Sequence, residues 1–145
     1  MSKDENEVNV LDELNKGACM GKDAIHFIMD KVKDEGLKQE LDRQYEKYSN
    51  ISDKINELYP EYSNKEPHET NAMNKAMTWY GIEMRTFMDD STSKLAELLM
   101  QGTNMGIIEG RRLLNHKGTE PEVHALVQEY VAMQEDAVEK LKSFL

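Results

Sequence analysis

From Leu37 to Leu58 the chain reads LKQELDRQYEKYSNISDKINEL, and Leu37, Leu41, Gln44, Tyr48, Ile51, Ile55 and Leu58 recur in it at alternating steps of four and three. Side chains at that spacing share one face of a 3.6-residue helix, whereas a half-buried strand would alternate every second residue. The face is apolar except for Gln44 and Tyr48, and the other positions are mostly charged or polar. The segment therefore reads as a helix that turns one seam into a helical bundle. Pro60 closes it, and the polar stretch to Pro67 reads as a loop.

The same spacing appears on both sides. Upstream, Leu11, Leu14, Ala18, Gly21, Ile25, Ile28 and Val32 form a seam that follows a frayed acidic start at 1–6 and ends at Asp34-Glu35-Gly36. Downstream, Leu95, Leu99, Thr103, Gly106, Gly110 and Leu113 form a third, begun by the cap-rich run Asp89-Asp90-Ser91-Thr92-Ser93 and ended by Lys117-Gly118-Thr119-Glu120-Pro121. Val123, Val127, Tyr130, Gln134, Ala137, Leu141 and Phe144 form the fourth. A shorter helix is expected from about Glu69 to Met88, with Met73, Ala76, Met77, Tyr80, Met84 and Phe87 on one side.

The seams repeat. Leu14, Gly17, Met20 and Gly21 match Leu99, Gly102, Met105 and Gly106 at an offset of 85, and the seam at 37–58 matches that at 123–144 at an offset of 86. The expected architecture is one all-α domain: a hairpin over 7–59, a crossover with a short helix over 60–90, and a second hairpin over 91–145, related by a pseudo-two-fold axis. The glycines at 17, 21, 102, 106 and 110 are expected to let helices approach closely.

Composition narrows the function. The 28 Asp and Glu outnumber 18 Lys and Arg, for a formal charge of −10, which argues against nucleic acid or an anionic membrane face as partner. No run approaches the roughly 20 apolar residues that span a bilayer, and the first nine residues are polar, so no targeting segment is expected and the location expected is cytoplasmic. Cys19 is the single cysteine; it excludes an internal disulfide and reads as a buried, inert thiol. No Ser/His/Asp or Cys/His spacing and no phosphate-binding glycine loop occurs, so neither catalysis nor a cofactor is expected.

Gln101-Gly102-Thr103-Asn104-Met105-Gly106-Ile107, with its echo Lys16-Gly17-Ala18-Cys19-Met20-Gly21, resembles the small bacterial ferritin-like proteins, and the resemblance covers about residues 8–145. It implies a four-helix bundle with two inward glutamates and two Glu-x-x-His pairs holding two metal ions, and with redox or iron-handling chemistry. The aligned positions carry something else. The glutamates fall on Ala18 and Thr103, and the Glu-x-x-His positions on Tyr45 and Tyr48, then on Val131 and Gln134. The expectation is a non-catalytic member that has lost its metal ligands and serves a binding or structural role.

A neutral hydrogen-bonded layer is expected in place of the metal, built from Gln44, Tyr48, Thr103, Tyr130 and Gln134, with each tyrosine meeting a glutamine of the other hairpin. It reads as a layer that fixes register, with a small polar ligand pocket as the second reading. A register shifted by one residue would instead turn Glu13, Glu97, Glu109, Glu129 and Asp136 inward and restore a di-iron or manganese site, at the cost of turning Leu14 and Leu99 outward. None of His26, His68, His116 and His124 pairs at the spacing of a helical metal clip. The methionine-rich stripe of the crossover helix, with Trp79 beside it, reads as a buried face laid on the bundle. A docking face for a second copy is its other reading.

Overall fold

The computed structural model describes residues 3–68 and 71–145 and is all-helical over them. Four long helices, α1 (Lys3–Met29), α2 (Glu35–Leu58), α4 (Thr92–His116) and α5 (Pro121–Lys142), enclose one core, and a shorter α3 (Ala72–Thr86) lies in the crossover. Helix α1 packs on α2 and α4 on α5, while α2 meets α5 and α1 meets α4. Each long helix thus has two neighbours across which to bury its seam. No described helix is long and apolar enough to cross a membrane.

The seams point where their spacing predicts. Leu11, Leu14, Ala18, Ile25 and Ile28 of α1, Leu37, Leu41, Ile51 and Ile55 of α2, Leu95 and Leu99 of α4, and Val123, Val127, Ala137 and Leu141 of α5 are all buried. The starts of the helices are chemically marked. The Asp34 side chain accepts from Leu37 N and that of Ser91 from Lys94 N, and Pro121 opens α5.

Several expectations need correction. Helix α1 starts at Lys3 rather than after Asn6, and Asn6 donates to Gly118 O at 2.7 Å. Helix α2 starts at Glu35, so Gly36 lies inside its first turn. Helix α3 spans Ala72–Thr86, capped by Asn71; Met1, Ser2 and the predicted helix start at Glu69 lie outside the described residues. Cys19 is half-buried.

The largest departure is the orientation of α3. It packs mainly on α1, with Ile82 against the core and Thr86 buried, and ion pairs tie Lys75 to Asp23 of α1 (3.4 Å) and Glu83 to Lys31 in the turn after α1 (3.0 Å). The methionine stripe lies on the opposite side, in solvent. Ile82 stands half a turn of the helical wheel away from Met73 and Met84, so seating Ile82 on the core turns the stripe outward.

The loop between α2 and α3 is pinned by a carboxylate that periodicity did not select. Asp12, buried on α1, accepts from the Tyr59 hydroxyl and from His68 N, each at 2.9 Å, and Asn15 Nδ2 donates to His68 O at 2.9 Å.

Candidate functional site

At mid-height in the core, α2, α4 and α5 bring Tyr48, Thr103, Tyr130 and Gln134 together. Gln134 Nε2 donates to the Tyr48 and Tyr130 hydroxyls, each at 3.3 Å, and the two tyrosine rings meet edge to face with centroids 6.4 Å apart. Thr103 is buried at the same level and donates its own proton to Leu99 O at 2.7 Å. Gln134 Oε1 is buried and accepts no hydrogen bond among the described residues.

Glycines make room for this layer. A Cβ at Gly21 would lie 2.5 Å from Tyr48 Cζ, one at Gly17 would overlap the Tyr130 hydroxyl, and one at Gly106 would overlap the Gln134 amide. At Gly110 it would meet Val131 Cγ2 at 2.5 Å. Gly102 has nothing within 4 Å, so the expected close approach is absent there.

The symmetry of the expected layer is broken at Gln44. That side chain is buried, but its Nε2 donates to Glu40 Oε2 at 2.7 Å and leaves the layer. Glu40 also holds Arg43 through two contacts, at 2.7 and 3.0 Å, and Arg43 reaches Asp136 at 3.1 Å. The carboxylate ends a charged chain that draws the amide outward, because a hydrogen bond to a charged acceptor outweighs one to a phenol. The same charges hold the Arg43 guanidinium pKa above its usual value, the Glu40 hydrogen bond most strongly.

The layer is electrically neutral. Ala18 and Val131 are buried hydrocarbons, and Tyr45 is exposed rather than facing the core. The carboxylates of the shifted register point outward instead and pair on the surface: Glu13 with Lys16, Glu97 with Lys94, Glu109 with Arg112, Glu129 with Lys54 and Asp136 with Arg43. Among the described residues no three His, Cys, Asp or Glu side chains cluster as metal ligands. A donor set of one threonine, two protonated phenols and an amide does not fit a pair of divalent ions.

Burial raises the pKa of both phenols above 10.0, and for Tyr130 the proximity of Tyr48 adds to it. The unfolded chain therefore releases these protons at lower pH than the folded chain, so stability is complete below about pH 10 and declines as pH rises beyond it. A spectrophotometric titration is expected to show tyrosinate absorbance from Tyr48 and Tyr130 appearing together with loss of helix. Ionisation of either phenol in the intact fold would contradict that.

Two surface grooves lie over the bundle, one of about 350 Å³ between α2 and α5 over Leu58, Ala125 and Leu126, the other of about 400 Å³ between α4 and α5 at Asn104, Glu135 and Asp136. Neither opens on the tyrosine layer. No family model matches the chain, and no curated protein or solved structure matches it either.

Proposed function

We propose that this protein is a ferritin-like four-helix bundle of two repeated hairpins whose central site is neutral, and that it is a non-catalytic binding or structural protein. The observation that carries the reading is the contact between Gln134 and Tyr48, residues that are equivalent in the two repeats and meet at 3.3 Å. Equivalent residues touch only near a two-fold axis. Gly21 beneath Tyr48 and Gly106 beneath Gln134 are equivalent as well.

At that level a metal-binding relative would carry carboxylates and histidines, and here an amide and phenols occupy the space. Uncharged oxygen donors this deeply buried supply neither the negative charge that offsets two cations nor a group poised for proton transfer near neutral pH. The layer fixes helix register, and the working surfaces of the protein are on its outside.

Elemental analysis after anaerobic incubation with Fe(II), Mn(II) or Zn(II) tests this. Metal well below one equivalent per chain is expected. Retention of about two equivalents, as in carboxylate-bridged bundles, would overturn the reading.

A further inference from the structure

Helix α3 presents Met73, Met77, Tyr80 and Met84 to solvent at steps of four, three and four, and the exposed Phe87 and Met88 follow directly beyond its end at Thr86. Exposures run from 60% at Tyr80 and Met84 to 89% at Met88, far beyond what an amphipathic helix leaves uncovered when its apolar face meets its own core. From typical side-chain areas, Met73, Met77, Tyr80, Met84, Phe87 and Met88 offer on the order of 850 Å². The largest apolar patch on a typical monomer is about 300–600 Å², and one side of a stable protein interface needs about 800 Å².

The spacing limits the shape of the occupant. A four-three row is the seam of a helix packed lengthwise on another helix, with side chains interlocking along both. The charge then limits its identity. The molecule as a whole carries −10, but α3 holds only Lys75, Glu83 and Arg85 among its charged residues, and the first two are paired with Asp23 of α1 and with Lys31 in the turn after it. The stripe itself is uncharged. It is a face on which two copies of an acidic protein can meet with little repulsion, and it lacks the basic polar face with which an interfacial helix holds anionic lipid. A row this regular can pair with itself about a two-fold axis, which gives a closed dimer.

We infer that the outer face of α3 is a self-association surface, on which α3 of a second copy lies lengthwise against this row. The inference extends the reading of a bundle that works through its exterior, and the two fail separately. Stoichiometric metal would overturn that reading without changing the molar mass, and a monomeric mass would overturn this one without changing the metal content.

Light scattering on the purified full chain over about 1–200 µM should give a mass approaching twice 16.8 kDa, within the micromolar range usual for modest interfaces. The double variant Met77→Glu/Met84→Glu places two charges in the row at positions the fold leaves exposed. It should keep the helical spectrum and weaken the dimer at least tenfold. Peroxide oxidation read by mass spectrometry supplies the second measurement, with Met77 and Met84 becoming protected as concentration rises. A chain that remains monomeric throughout overturns the proposal. So does a dimer that survives the double variant, or one in which Met77 and Met84 oxidise equally fast at every concentration. Monomers that bind zwitterionic or anionic vesicles through the stripe would overturn it too and make lipid the occupant.

Discussion

Replacing Gly21 by alanine is expected to lower the stability of the fold by about 3 kcal/mol, at the upper end of what overpacking costs. The new methyl would stand 2.5 Å from Tyr48 Cζ and 2.7 and 2.8 Å from the two Cε atoms, so it meets the ring itself and not a movable tip. Tyr48 is buried among α1, α2 and α5 and cannot swing aside without opening the layer. Alanine's better helix propensity returns only about 1 kcal/mol. Gly17→Ala should differ in kind. Its conflict is with the Tyr130 hydroxyl, and the next atom, Cζ, is 3.1 Å away. Tyr130→Phe should therefore relieve most of the Gly17→Ala cost, while Tyr48→Phe should relieve little of the Gly21→Ala cost. Gly102→Ala, with open space at its Cβ, should stabilise by up to about 1 kcal/mol. Denaturant titrations of these variants check the pattern, and a neutral Gly21→Ala would remove the packing argument for the whole layer.

The second large effect is expected at Asp12. Truncating it to alanine strands the Tyr59 hydroxyl and the His68 backbone N–H, both of which donate to Asp12 Oδ1. Unmade buried hydrogen bonds cost roughly 1–3 kcal/mol each, so a loss of about 3 kcal/mol is expected, with faster tryptic cleavage at the exposed Lys65 as the 59–68 segment comes away from α1. Asp12→Asn keeps an acceptor oxygen and should lose less than half as much. Burial and then the Asp12 hydrogen bond push the Tyr59 pKa up to about 12. The stability this residue contributes is therefore complete below pH 10 and is lost as pH rises from about 10 to about 12, a trend that Tyr59→Phe should flatten. Unchanged stability and unchanged cleavage in Asp12→Ala would show that the loop is held by other means.

The parts of this fold that could be read in the sequence are those set by neighbours along the chain. The four seams, the caps at Asp34 and Ser91 and the start at Pro121 follow from helical spacing and backbone chemistry within one or two turns. So does the uncharged character of the core at this level, because Ala18, Tyr48, Thr103, Val131 and Gln134 are uncharged residue types, and the fold buries all five. Asp12 was missed for the same reason. It lies one residue beside the seam position Leu11, and only the return of Tyr59 and His68 from more than 45 residues away buries it.

Tertiary structure decided the rest. Spacing predicts which side chains share a face but not what that face meets, so the stripe on α3 reads identically whether α1 or solvent lies against it. The contest was settled by the burial of Ile82 and Thr86, with the ion pairs to Asp23 of α1 and to Lys31 just beyond it. Gln44 likewise occupies a core position in sequence, yet Glu40, tied to Arg43 and Asp136, offers its amide a charged partner and draws it from the layer. Gly102 then has no side chain to accommodate, whereas Gly17 does. Periodicity is a property of one helix, whereas the choice among partners is a competition between contacts that only the assembled chain brings within reach.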